Sequence, residues 1–85
     1  MSTKAADVTL TFPCHPRFVE AMRAAVSMAV TGVGCSESSG RAAADALEAF
    51  IEPDLSAAQA PSVVVEVTGS HARLSSGSRH LTVDL

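Results

Sequence analysis

Val8-Thr9-Leu10-Thr11-Phe12-Pro13-Cys14-His15-Pro16-Arg17-Phe18-Val19-Glu20-Ala21-Met22 changes its apolar period partway along. Up to Phe12 apolar and polar residues alternate, with Val8, Leu10 and Phe12 on one face, which is the pattern of a half-buried strand. Pro13 ends it. Cys14-His15-Pro16 reads as a turn, and Pro16 suits the first position of a helix. Beyond it Phe18, Met22, Ala25, Val26, Ala29, Val30 and Val33 recur at helical spacing, while Arg17, Glu20, Arg23, Ser27 and Thr31 take the other side. The spacing predicts an amphipathic helix of about 17 residues, roughly 25 Å long. Gly32 and Gly34 supply its stop.

A second helix follows directly. Ser36 suits its N-cap and Glu37 its first turn. Gly40 weakens that turn. Ala43, Ala46, Leu47, Phe50 and Ile51 form the apolar stripe, with Arg41, Asp45, Glu48 and Glu52 largely off it. Pro53 is expected to close the helix, because the residue before a proline avoids the α region. Asp54 to Pro61 reads as a loop. Ser62 to Thr68, with Val63-Val64-Val65 at its centre, is the strongest strand signal in the chain. Gly69-Ser70 turns it into His71-Ala72-Arg73-Leu74, Ser75 to Ser78 reads as a flexible turn, and His80 to Leu85 alternates again. The order β-α-α-β-β-β predicts an α+β fold, a two-layer sandwich with two helices on a mainly antiparallel sheet.

The chain has 85 residues and no obvious internal repeat, which fits a single domain over residues 1–85 with a frayed start at 1–6. Its 47% apolar content is mostly Ala and Val, with three Phe and neither Trp nor Tyr. Phe12, Phe18 and Phe50 are therefore expected to count heavily in the packing. A core this thin, with a strand edge lacking obvious cover, predicts a homodimer. Net charge is −3, with six Lys plus Arg, which gives no electrostatic footprint for nucleic acid. No apolar run is long enough to span a bilayer and no basic amphipathic helix marks a membrane surface. The N-terminus lacks the apolar region of a signal peptide. Cys14 and Cys35 fit reduced thiols, and the expected location is the cytoplasm.

The chemistry-bearing residues are sparse. There is no phosphate-binding glycine loop, no H-E-x-x-H and no C-x-x-C. Cys14 and His15 are adjacent, so their side chains point different ways. His71 and His80 could face each other across a hairpin, but two ligands do not make a structural zinc site. A Cys-His nucleophile pair lacks an orienting group. Ser75 to Ser78 reads as an ordinary hairpin connection. Glu48 and Glu52 lie one helical turn apart, which suits acid/base work or a cation only with a third partner. Arg23 could pair with Glu20 on its own face or contact a partner. No catalytic, cofactor-binding or metal-ligating residue emerges, and the chain is expected not to be an enzyme.

Phe12 to Val26 resembles the opening of the bacterial anti-sigma factor serine kinases, small members of the histidine-kinase-like ATPase superfamily. Their first strand runs into Pro-x-x-Pro-x-aromatic-Val, with an Arg five residues after the aromatic position. Here these are Pro13, Pro16, Phe18, Val19 and Arg23. The family's second helix ends in an acidic-Ala-x-x-Asn signature, and this chain has Glu48-Ala49-Phe50-Ile51-Glu52 at about the right distance. The resemblance runs from Val8 to Pro53. It implies that the family's magnesium-holding Asn is replaced by Glu52, with Pro53 stopping the helix at once, and that Glu48 and Glu52 are degenerate nucleotide-site positions. The glycine loop that follows the family's hairpin reaches at most its first residue, at Asp84. Phosphoryl transfer rests on positioning and on electrostatic stabilisation by metal and backbone donors, so the resemblance implies a chain that binds no ATP and needs no cofactor. It implies instead a non-catalytic regulatory module, anti-sigma-like or adaptor, that binds another protein through Arg17, Glu20 and Arg23. A structural homo-oligomeric subunit is the second reading and a small Cys/His enzyme the third.

Overall fold

The computed structural model describes residues 7–56 and 61–85. The expectation of a frayed start at 1–6 and the middle of the expected loop, 57–60, lie outside the described residues. Strand β1 (Val8–Pro13) leads through a 3-10 turn (Pro16–Phe18) into α1 (Val19–Gly32). Helix α2 (Glu37–Leu55) follows, then β2 (Ser62–Val67), β3 (His71–Ser76) and β4 (Arg79–Asp84). The sheet has four strands in the order β1-β2-β3-β4. Every pairing is antiparallel, with Leu10 opposite Val65, Val65 opposite Leu74, and Leu74 opposite Leu81. The expected two-layer α+β sandwich is the observed one.

Alternation decides which face of the sheet is dry. Val63, Val65, Val67, Ala72 and Leu74 are buried and face the helices. Met22, Val26 and Val30 come down from α1, and Ala43, Leu47, Phe50 and Ile51 from α2. Their burial drives the folding of a chain with few large side chains. The other sheet face carries Thr9, Thr11, Glu66, Arg73, His80 and Thr82, and among the described residues no helix lies on it. A sheet covered on one face only takes just this alternation.

Local chemistry sets the ends. Ser36 caps α2 by accepting the Ser39 N–H on its Oγ at 3.2 Å. Gly34, at φ 97, turns the chain between the helices in the left-handed region that favours glycine. Gly77, at φ 60, takes the first central position of the hairpin between Ser76 and Arg79, where a type II′ turn requires glycine. Ser75 and Ser76 thus belong to β3, not to the turn expected for them.

Two further expectations are corrected. Pro16–Phe18 is a 3-10 turn, so α1 begins only at Val19. His15 is extended and its Nδ1 accepts the Arg17 N–H at 3.2 Å, capping that turn. Phe18 is swung away from the core and is 40% exposed. It stacks edge-on against His15, with ring centroids 6.0 Å apart. Met22, one turn on, is the first residue of this stripe to be fully buried. Likewise Pro53 does not end α2, which runs on to Leu55. A proline removes one intrahelical bond, here the one to the Ala49 carbonyl. Ala49 is exposed, so the lost bond falls on the solvent side of the helix and not in the core.

Gly40 is buried on the α1-facing side of α2. A Cβ there would meet Ser27 Oγ at 2.9 Å, its carbonyl oxygen at 3.1 Å and its Cα at 3.3 Å. The hydroxyl can turn away, but the backbone cannot, and Thr31 Oγ1 bonds the same carbonyl at 3.2 Å. Gly40→Leu should therefore force the helices apart and destabilise the fold by about 1–3 kcal/mol, a fall of several degrees in melting temperature for a domain this size. A thermal melt followed by circular dichroism measures it. An unchanged melting temperature would show that the helices are not in backbone contact at this point.

Candidate functional site

The outer surface of the helix pair gathers most of the residues singled out in the sequence. Arg23 leaves α1 toward α2. Its Nη2 donates to Asp45 Oδ1 at 2.6 Å and its Nη1 to Glu48 Oε1 at 2.9 Å. Arg23 is thus committed across the helix pair, not paired with Glu20 and not a free surface charge. The hydrogen bond that Arg23 donates to Asp45, aided by the charges of Asp45 and Glu48 against partial burial, holds the guanidinium in its charged form more firmly than usual. Asp45 lies 22 residues away in sequence, so no local spacing rule points to it.

Beside this fork runs a groove of about 520 Å³ lined by Arg23, Ala24, Ser27, Met28, Thr31, Glu37, Arg41 and Ala44. The small residues Ala24, Ser27 and Ala44 make its floor, and Met28 stands over it 73% exposed. A second hollow of about 300 Å³ lies among Arg23, Asp45, Glu48, Ala49 and Glu52. Both expected degenerate positions, Glu48 and Glu52, therefore come together with Asp45 around one cation. Glu20 is exposed one turn before Arg23. Arg17 is exposed farther along, its guanidinium 5.8 Å from the Phe18 ring centre.

A different polar cluster, not foreseen from the sequence, closes the end of the core. Asp54 Oδ2 accepts from Ser76 Oγ at 2.9 Å and from Arg79 Nη1 at 2.9 Å. Arg79 also donates to the Phe50 carbonyl and stacks over the Phe50 ring, 4.6 Å from its centre. Asp54 and Arg79 are 25 residues apart, again beyond any local pattern. Cys14 is fully buried beside them. Burial pushes its thiol up, Asp54 adds to the shift, and Arg79 and the Ser76 hydroxyl oppose it.

The histidines do not converge. His15 is exposed while its neighbour Cys14 is buried, as adjacency predicted. His71 pairs with Asp84 in the sheet register and His80 with Ser75, so the two rings are not opposite each other. His71 Nδ1 sits 3.3 Å from Thr68 Oγ1 and 3.2 Å from Ser70 Oγ, within a turn. Among the described residues no group of three His, Cys, Asp or Glu is placed to hold a metal ion. Cys14 and Cys35 are free thiols, and Cys35 Sγ donates to the Gly69 carbonyl at 3.4 Å. No helix among the described residues is long and apolar enough to cross a membrane. The chain matches no family model, no curated protein and no solved structure.

The burial of Cys14 has two measurable consequences. A thiol raised and sheltered in the fold stays protonated, and only the thiolate attacks. In the native protein Cys14 should react with iodoacetamide far more slowly than Cys35 and match it once unfolded, as read by mass spectrometry. The unfolded thiol also gives up its proton at a lower pH than the folded one. Stability contributed by Cys14 is therefore present below the ordinary thiol value of about 8.5 and is lost as pH rises from there through the raised value of the folded state. Cys14→Ala should flatten that alkaline decline in urea titrations.

Proposed function

We propose that this chain is a non-catalytic regulatory protein-binding module of the bacterial cytoplasm, a nucleotide-free relative of the anti-sigma factor serine kinases. The observation that carries the reading is the groove on the outer helix face. An exposed methionine stands over a floor of small residues, with fixed charges of both signs around it. Met28 is flexible and polarisable, the side chain best able to adapt to an apolar knob on a partner. Arg23, held by two carboxylates, supplies a preorganised rim, and Glu37 and Arg41 extend it. Arg17 and Glu20 continue the same side of the chain toward the 3-10 turn. Arg is among the residues that dominate interfaces when a planar or acidic group meets it.

The second hollow supports the nucleotide-free part of the reading. Asp45, Glu48 and Glu52 outnumber the single Arg23 there. A triphosphate brought to it meets an excess of negative charge, and like charges at close range repel. This disfavours the very ligand that the kinases use.

Two measurements test the reading together. Calorimetry with millimolar ATP and magnesium should give no heat of binding, and saturable binding in the micromolar range would overturn it. Met28→Glu should leave the melting temperature in place, because the side chain is exposed. It should weaken the protein partner recovered from bacterial cytosol by about 1–3 kcal/mol, roughly five- to a hundredfold or more. Equal affinity of wild type and variant for that partner would remove the groove from the interface.

A further inference from the structure

We infer that β4 is a self-pairing edge, through which two copies of this chain join their sheets about a twofold axis at Thr82. The inference goes beyond the groove, which lies on the outer face of the helix layer and takes no part in it.

The backbone sets which groups are available. Ser76 and Arg79 flank a two-residue turn, so they form a hydrogen-bonded pair, and such pairs alternate along an antiparallel ladder. Leu81 and Val83 therefore turn their N–H and C=O groups inward to β3. The Leu85 N–H follows the same sense in donating to the Ser70 carbonyl. His80, Thr82 and Asp84 turn theirs outward. Among the described residues no strand pairs with that outer edge, which leaves a row of backbone donors and acceptors to be satisfied.

The side chains agree with the backbone. Leu81 lies opposite the buried Leu74, hence on the helix-facing side, yet it is 40% exposed. The helix layer leaves it uncovered. On the other edge Val8, Leu10 and Phe12 of β1 are all packed against the core, whereas on β4 Val83 is packed and Leu81 is not, and Pro13 at the end of β1 has no N–H to offer.

Register follows from the side-chain pairs that each axis makes. An axis through Thr82 places Leu81 opposite Val83 of the second copy and His80 opposite Asp84 of the second copy, each twice. His80 Nδ1 is already 3.3 Å from Ser75 Oγ, which leaves Nε2 for that carboxylate. Thr82 meets Thr82, a favourable cross-strand pair. An axis through Leu81 sets His80 against Thr82, and one through Val83 sets Thr82 against Asp84. Neither brings the imidazole to the carboxylate. The Thr82 axis also makes His80–Asp84 and Thr82–Thr82 the hydrogen-bonded pairs, using the outward backbone groups.

Disulfide trapping tests this on the full chain. Hydrogen-bonded partners in an antiparallel pair have Cα atoms about 5.5 Å apart, within disulfide range. Thr82→Cys, exposed on the open face, should give a covalent dimer under mild oxidation. The wild type is the blank, because Cys14 is buried and Cys35 only half exposed. Sedimentation at tens of micromolar should give twice the monomer mass. Asp84→Lys should weaken the dimer about tenfold, and adding His80→Asp, which sets opposite charges across the axis, should recover it. A wild-type monomer at that concentration overturns the proposal and leaves the groove reading standing. Trapping through Thr11→Cys on β1 in place of Thr82→Cys overturns it too.

Discussion

The contact between Gly40 and Ser27 is where the architecture is decided. A chain with three phenylalanines and no larger side chain cannot fill a wide gap between its layers. It must bring the layers close, and the only way for two helices to share one four-stranded sheet is to lie tightly side by side. Gly40 removes the Cβ that would keep α2 off the α1 backbone. With the helices that close, Met22, Val26 and Val30 from α1, over β1 and β2, and Ala43, Leu47 and Ile51 from α2, over β3 and β4, join in one core. Small side chains at an interface forgo apolar area, and close approach recovers packing contact in its place.

The same contact brings Arg23 within reach of Asp45 and Glu48. The ion pairs are exposed and screened, so they add little to the hold between the helices. Their effect is on the surface. The guanidinium loses its freedom and becomes a fixed part of the rim beside Met28. A preorganised charge saves the ordering cost that a mobile arginine meets on binding. Packing at the buried side of the helix pair thus fixes the geometry of its outer side, and the proposed partner surface is a consequence of how a small core closes.

Elements with a regular period were legible in the sequence. β1, β2, the end of β4 and the Ser36 cap follow from alternation and capping chemistry, and the helical stripes at Met22 to Val30 and Ala43 to Ile51 from a period near 3.6. Phe18 and Pro53 were misread because each obeys a rule that something nearby overrides. His15 caps a 3-10 turn and re-aims Phe18 outward, and Pro53 takes its lost bond from the exposed Ala49. Gly40 did carry a signal. It precedes Ala43, Ala44 and Leu47 by three, four and seven residues, which sets it on the buried stripe and makes it a packing residue as well as a weak helix former. The partners of Arg23 and Arg79 carried none, since ion pairs more than 20 residues apart in sequence depend on how the layers stack.

Arg79 is the residue that ties the two proposed surfaces to one rigid body. It stands at the start of β4 and reaches across to the last turn of α2, where Asp54 and the Phe50 carbonyl hold its guanidinium. Asp54 in turn takes the Ser76 hydroxyl from the end of β3. Both sides of the β3–β4 turn are thereby pinned to the helix layer at one end of the sheet. An edge strand held only by its neighbour would fray and shift register, and a frayed edge pairs with anything. Pinned at Arg79, β4 presents His80, Thr82 and Asp84 in one register, and an edge with one register can discriminate its own copy from another strand.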